Sequence, residues 1–114
     1  MSRHISGFDA AISHLPHHAA FALVDTIATS PDGADKLRLA GAGFRDFTRI
    51  AASNPEMWRD ITLANRDALC VELAALREAL ADLQLLVESG DAARLEALFA
   101  RASAVRRAMS GDSE

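Results

Sequence analysis

The sequence contains no tyrosine, one tryptophan and one cysteine, and these shortages exclude several classes of protein. The single thiol, Cys70, cannot form an internal disulfide, and no Cys-x-x-Cys pair or Cys/His spacing is present to build a zinc site. Because Cys70 lies in a helical pattern beside Leu69 and Leu73, we expect a buried, inert thiol. No apolar run approaches the roughly 20 residues that cross a bilayer, and residues 1–7 lack the apolar core of a secretory signal. The sequence therefore predicts a soluble, cytoplasmic protein that does not bind membranes.

Signatures of catalysis and of nucleotide binding are also missing. Gly41 and Gly43 are not followed by the spacing of a dinucleotide fingerprint, and no β-α-β pattern is present to carry one. No Ser/His/Asp arrangement is visible either. The formal net charge of −4 argues against a nucleic-acid partner, since such partners usually select a basic face. The residues by themselves therefore predict no catalytic centre in this chain.

The composition favours helices throughout the chain. Alanine, leucine, arginine and glutamate dominate, and alternating β-branched and aromatic residues are nearly absent, which predicts an all-α protein. The 114 residues fit one helical domain over 1–114 with a modest core. A core of this size would gain from further burial against a second copy of the chain.

The first predicted helix covers residues 6–28, where apolar residues recur at three- and four-residue steps. Pro16 lies inside it and removes a backbone donor, which predicts a kink near Ile12 and Ser13. Turn-forming residues at 30–33 end this helix, and a shorter helical stretch follows. Two glycines, at 41 and 43, interrupt that stretch, which indicates either a close backbone approach or a bend before a helix starts.

A long helix is predicted to start near Asn54 and to end near Ser89. Its start has two possible caps: Ser53 with Glu56 as a capping box, or Asn54 followed by Pro55 at the first helical position.

Gly90 and Asp91 end the long helix and cap a last helix, so the two helices are predicted to form an antiparallel hairpin. Apolar residues at heptad spacing on the long helix form a seam that predicts packing against another helix, nearly side by side. The seam consists of Leu69, Leu73, Leu76, Leu80, Leu83 and Val87, and the matching stripe of Leu95, Leu98, Ala102, Val105 and Met109.

Three histidines on the first helix are candidate ligand residues. His14 and His18 lie one turn apart, which is the spacing of metal ligands, but no further ligand completes a site. His17 directly follows Pro16, so the kink could present its ring to a cleft as a donor to an anion. A metal-binding helical bundle remains the weaker alternative.

Arg45 and Arg49 lie four residues apart on one helix face, with Asp46 between them. An arginine fork matches the geometry of a carboxylate, although such residues also decorate ordinary solvated surfaces. Trp58 is either an anchor of the core or of an interface, or the wall of a pocket for an unsaturated six-membered ring.

Two segments resemble the C-terminal domain of the prephenate and arogenate dehydrogenases of tyrosine biosynthesis. Residues 12–17 read ISHLPH and are followed by AFALV at 20–24, and residues 43–51 read GFRDFTRIA and run on through SNPEMWRDI to Asn65. The order and separation of the segments also agree, and the resemblance covers residues 9–109.

The resemblance implies an all-α domain that interlocks with its twin into a homodimer. In this family an N-terminal Rossmann domain holds NAD or NADP and the catalytic histidine, and the substrate lies between the two kinds of domain. The reaction oxidises and decarboxylates prephenate to 4-hydroxyphenylpyruvate, with arogenate as the related substrate. Since the 114 residues contain no Rossmann domain, we expect this chain to bind no cofactor and to have no dehydrogenase activity alone.

The resemblance also assigns candidate substrate-binding residues. It places substrate contacts at His17 and Arg49, a pocket wall at Trp58, an ion-pairing role at Asp46 and backbone access at Gly43. Ala42 departs from the unbroken glycine run of the family. The alternative is a stand-alone helical interaction or regulatory module that kept the fold without the chemistry.

Overall fold

The computed structural model describes residues 7–109, and every regular element in this range is helical. The all-α prediction is therefore confirmed, and no described helix combines the length and apolarity needed to cross a membrane. Contacts divide the chain into two compact units, one ending at Ala74 and one beginning at Ala75. The elements are a π-helical turn Ala10–His14, α1 Leu15–Ala28, α2 Gly33–Arg38, α3 Ala42–Thr48, a 3-10 turn Arg49–Ala51, α4 Pro55–Ala64, α5 Arg66–Ser89 and α6 Ala92–Met109.

The first helix changes its hydrogen-bonding pattern where the kink was predicted. Pro16 has no N–H to donate to the carbonyl one turn earlier, at Ile12. The chain adopts a π-helical turn there, in which the N–H of Leu15 donates to the carbonyl of Ala10, five residues back. Such turns are rare and often lie at functional sites. This one directly precedes the residues of α1 that carry two of the three histidines.

The turn between α1 and α2 brings two pieces of backbone unusually close together. Gly33 is buried at the start of α2, and a Cβ added there would lie 2.4 Å from the carbonyl oxygen of Ala28 and 2.6 Å from that of Ile27. Only glycine fits this approach without a shift of the backbone. The break predicted at residues 30–33 is confirmed.

Gly41 caps α3 with an extended backbone, at φ −93° and ψ −170°, so the helix start predicted near the glycine pair is confirmed. A Cβ added at Gly41 or at Gly43 would meet nothing within 4 Å. Within residues 7–109, the pair therefore marks the start of a helix rather than a close backbone approach.

The predicted long helix is in fact two helices. The Asn54 side chain accepts a hydrogen bond from the Met57 N–H at 3.0 Å, so Asn54 is the cap of α4. The prediction of one continuous helix to Ser89 is wrong at Asn65, which has φ −122° and ψ 37° and separates α4 from α5. Asparagine is a weak helix former, and the Asn65 amide donates to His14 Nδ1 at 3.4 Å, a partner outside its own helix.

The core of the first unit consists of few residues. Ala10 and Ala20 on the first helix, Trp58 on α4 and Leu69 on α5 are the buried apolar side chains among the described residues. The small alanines let backbones approach, and α1 packs against α2, α3 and the 3-10 turn. Cys70, next to Leu69, is exposed, so the prediction of a buried thiol is wrong. Neighbouring helix positions face about 100° apart, and Leu69 takes the inward one.

In the second unit, α5 and α6 form the predicted antiparallel hairpin. Gly90 has a positive φ of +64°, which turns the chain at the end of α5. The N–H of Gly90 donates to the Val87 carbonyl and the N–H of Asp91 donates to the Leu86 carbonyl, both at 3.1 Å. This pattern is a Schellman motif. The Asp91 carboxylate then accepts from the Arg94 N–H at 3.1 Å and caps α6.

The apolar stripes of this hairpin are only partly covered within the chain. Leu83 and Leu86 face Leu98 across a groove between the two helices and are partly buried. Other apolar side chains of the second unit are more than half exposed, which leaves a large apolar surface that the described residues do not cover. These are Leu80, Leu85, Val87, Phe99, Val105 and Met109.

Candidate functional site

Trp58 lies at the centre of an aromatic cluster in the first unit. The His17 ring stacks on the indole with 3.9 Å between centroids and 21° between planes. His14 and His18 meet the indole edge-on, at 5.9 and 6.1 Å, and Phe21 meets it at 6.5 Å. Residues 14, 17, 18 and 21 are three or four apart, so they share one face of the first helix. That face surrounds one tryptophan on α4, and we call these five side chains the aromatic cluster.

Backbone carbonyls fix the orientation of two of the histidines. His17 Nδ1 donates to the Ser13 carbonyl at 2.9 Å, and His18 Nδ1 donates to the His14 carbonyl at 2.6 Å. A carbonyl oxygen only accepts, so both Nδ1 atoms carry hydrogen. The Nε2 of His17 is left for another partner. The Nε2 of His18 lies 2.7 Å from Thr62 Oγ1 on α4.

The metal alternative needs ring nitrogens that point to one ion. His14 accepts from Asn65 through Nδ1, whereas His18 engages the His14 carbonyl and Thr62. Within residues 7–109 no group of three or more His, Cys, Asp or Glu side chains could hold a metal ion.

Trp58 is held in the first turn of α4 and is 8% exposed. Its indole Nε1 is buried, and no acceptor for it lies among the residues that the structure describes. A buried donor without a partner costs about 1–3 kcal/mol. Groups that bear such a cost in a folded protein often have a functional reason.

An open cleft of about 400 Å³ lies beside the indole, between α1 and α4. Its walls are mainly apolar, and Arg59 adds a cationic group that pairs with Asp60 at 3.0 Å while both side chains remain mostly exposed. The cleft therefore offers ring faces and one guanidinium to a small molecule. It is lined by His18, Phe21, Pro55, Trp58, Arg59, Thr62 and Leu63.

The other predicted site residues lie on neighbouring elements. Arg49 is exposed and begins the 3-10 turn, which packs against α1. Asp46 and Gly43 are exposed on α3, which also packs against α1. Among residues 7–109, neither Arg45 nor Arg49 lies within 4.0 Å of the Asp46 carboxylate. Contact between predicted site residues is therefore shown for His17 with Trp58, whereas Arg49, Asp46 and Gly43 are exposed on adjacent elements.

Sequence reasoning missed Phe21 and Thr62. Phe21 could have been found, because it follows His14, His17 and His18 at helical spacing on the same face. Thr62 carries no comparable signal, since its contact with His18 joins residues 44 positions apart in the chain.

Comparison with known proteins shows which family this sequence resembles. Residues 5–101 match the family model described as "Prephenate dehydrogenase, dimerization domain". The chain is 38% identical over 101 residues to a prephenate dehydrogenase of Bacillus subtilis, covering 88% of this chain and 27% of that protein. It is 35% identical to the cyclohexadienyl dehydrogenase of Zymomonas mobilis, covering 92% of this chain and 36% of that protein.

A solved structure agrees with the sequence relatives. The chain resembles the prephenate dehydrogenase from A. aeolicus, crystallised with hydroxyphenyl propionate and NAD+, at a TM-score of 0.85 and 36% identity. This match covers 96% of the chain and 39% of that protein. The chain thus spans about a quarter to two fifths of the proteins that it matches.

Proposed function

Since the chain belongs to the prephenate dehydrogenase family, through its dimerisation domain, we propose that it supplies the dimer interface and part of the substrate site of such an enzyme. The parent reaction would be the oxidative decarboxylation of prephenate to 4-hydroxyphenylpyruvate in tyrosine biosynthesis, with arogenate as the alternative substrate. The observation that carries this proposal is the stack of His17 on Trp58 at 3.9 Å.

The substrate chemistry suits the residues around this stack. Prephenate combines an unsaturated six-membered ring with two carboxylates. The rings of Trp58 and His17 offer apolar faces to the six-membered ring, and the Arg49 guanidinium offers two parallel donors to one carboxylate. His17 Nε2, which is not used by the Ser13 contact, is a further donor when the ring is protonated. Asp46 would take part in ion pairing at the rim of this site.

Gly43 would let the substrate approach the backbone closely. The space around its Cα is open, because an added Cβ would meet nothing within 4 Å. A ligand group can therefore occupy the volume that a side chain would fill at any other residue.

The nicotinamide cofactor, NAD or NADP, does not fit this chain. Dinucleotides are held by a glycine-rich turn between a strand and a helix N-terminus. The described residues form helices only, and no glycine run with that spacing is present in the sequence. We therefore assign the cofactor to another domain of the parent enzyme, and we propose that these 114 residues alone transfer no hydride.

The homodimer would form through the hairpin of α5 and α6. The exposed apolar side chains of these helices, such as Leu80 and Val87, recur at heptad spacing and suit a second helical copy. A patch of this kind marks an interface in a protein that otherwise has a charged surface.

The substrate role is tested by titrating the purified chain with prephenate while NMR follows the Trp58 indole N–H and the His17 ring. We expect both signals to shift, with affinity in the millimolar range because half of the site is contributed elsewhere. Arg49→Ala should weaken binding about thirtyfold or more, since loss of one partner of a charge pair costs about 2 kcal/mol or more.

Arg38→Ala is the matched control, because Arg38 is an exposed arginine on α2 whose partner is Asp35. It should bind prephenate like the unmodified chain. Equal weakening by both variants would remove the proposed contact, since the effect would then follow net charge. A chain that shows no response to prephenate would favour the stand-alone interaction module instead.

A further inference from the structure

The proposed function does not account for the hydrogen bond between the His18 side chain on α1 and the Thr62 side chain on α4. His18 Nε2 lies 2.7 Å from Thr62 Oγ1, and both side chains are partly buried. We propose that this pair is a positioning device, which sets the rotation of α4 against α1 so that Trp58 stacks on His17.

Both ends of the link are anchored to backbone. His18 Nδ1 donates to the His14 carbonyl at 2.6 Å, which fixes the ring on its own helix. The Thr62 hydroxyl lies 2.6 Å from the Trp58 carbonyl, to which it can donate, one turn earlier on α4. The hydroxyl has one hydrogen, so it either donates to His18 Nε2, or donates to the Trp58 carbonyl and accepts from an Nε2 that carries hydrogen.

The link therefore runs from the backbone of the π-helical turn to the backbone of Trp58 itself. Side-chain hydrogen bonds in a partly buried place are stronger than exposed ones, because water competes less for the partners.

The geometry shows why this link would control the stack. Thr62 and Trp58 are four residues apart, so they share one face of α4. A side chain on a helix reaches about 5–6 Å from the axis, so a rotation of α4 by about 20° would move the indole by about 2 Å. A stack with 3.9 Å between centroids does not survive a displacement of that size. Among residues 7–109, the contact with His18 is the hydrogen bond that joins this pair of α4 residues to α1.

The inference deepens the proposed function, because His17 and Trp58 are its substrate contacts. The spectroscopic test is independent of any ligand. The chain contains one tryptophan and no tyrosine, so near-ultraviolet circular dichroism and fluorescence report mainly on Trp58. Far-ultraviolet circular dichroism reports the helix content separately.

The test compares Thr62→Val, which keeps the shape but removes the hydroxyl, with Thr62→Ser, which keeps the hydroxyl. Thr62→Val should lose most of the Trp58 near-ultraviolet band and shift its emission, while the helix content stays unchanged. Thr62→Ser should keep both the near-ultraviolet band and the emission of the unmodified chain. His18→Phe, which keeps a ring but removes both nitrogens, should behave like Thr62→Val.

Thr48→Val is the matched control. Thr48 is itself partly buried and donates its hydroxyl to the carbonyl four residues back, at Phe44, but among the described residues no histidine bonds to it. This variant should keep the Trp58 spectrum. An unchanged Trp58 spectrum in Thr62→Val and His18→Phe overturns the inference. The inference is also overturned if Thr62→Ser loses the Trp58 band as Thr62→Val does.

The outcomes separate this inference from the proposed function. An altered Trp58 spectrum in Thr62→Val supports positioning even if the chain does not bind prephenate. An unaltered spectrum, in a chain that binds prephenate through Arg49, removes the positioning role and leaves the proposed function intact.

Discussion

Replacing Gly33 by alanine tests the closest backbone approach in the fold. The new Cβ would lie 2.4 Å from the Ala28 carbonyl oxygen and 2.6 Å from that of Ile27, so the backbone must move by about 1 Å to reach ordinary contact. The Ile27 carbonyl accepts from the N–H and the hydroxyl of Ser30, at 3.1 and 2.6 Å, and a shift would weaken both bonds. Overpacking costs about 1–3 kcal/mol, and each weakened bond about 0.5–1.5 kcal/mol.

Alanine also lowers the conformational entropy of the unfolded chain, which stabilises the folded state by about 0.4–1 kcal/mol. We therefore expect a net loss of about 2 kcal/mol or more in the free energy of unfolding, and a fall in Tm of roughly 8 °C or more. Urea unfolding followed by far-ultraviolet circular dichroism, at one protein concentration, measures this loss. Gly43→Ala is the control, since a Cβ there meets nothing within 4 Å and should stabilise its helix by about 0.5–1 kcal/mol. A Gly33→Ala chain within about 0.5 kcal/mol of the unmodified one would refute the close approach.

Two predictions concern binding. Leu80→Glu should weaken the proposed dimer about 100-fold or more in sedimentation equilibrium, because it places an unpaired charge on the apolar seam of α5. The control is Ala81→Glu, which adds the same charge at a neighbouring exposed position on another face of the helix and should leave the dimer unchanged. Equal dissociation of the two variants would show that net charge, rather than the seam, is responsible. Gly43→Ala should bind prephenate about tenfold more weakly in the NMR titration although its fold is more stable, and unchanged affinity would argue against backbone access at this residue.

Most of the helical framework could be predicted from local patterns. Pro16 predicted the irregular helix around Ile12, and Gly90 with Asp91 predicted the turn between the last two helices, because these effects act within one helical turn. The split at Asn65 could not be predicted, since its amide finds His14 across 51 positions of sequence. Cys70 was misplaced because heptad spacing gives the period of a buried face but does not say how far that face extends.

The candidate site could be predicted only in part. His17 and Trp58 were expected in one place, and the structure puts their rings in contact. Arg49, Asp46 and Gly43 lie on elements that pack against α1, and their part in substrate binding stays a prediction. The contact of His18 with Thr62 could not be read from either residue, since a helix face shows which side chains point together but not which distant group they meet.

The sequence by itself determined the all-α class, the family, those helix ends that carry strong capping residues, and the three histidines of the first helix. These depend on backbone sterics and on spacings of three or four residues, which are local properties of a chain. Only the tertiary structure decided that the helix face with these histidines encloses Trp58, that Thr62 meets His18 and that Gly33 touches the end of α1. Contacts of this kind depend on how two helices are rotated and spaced against each other, and the packing of many side chains together sets that geometry.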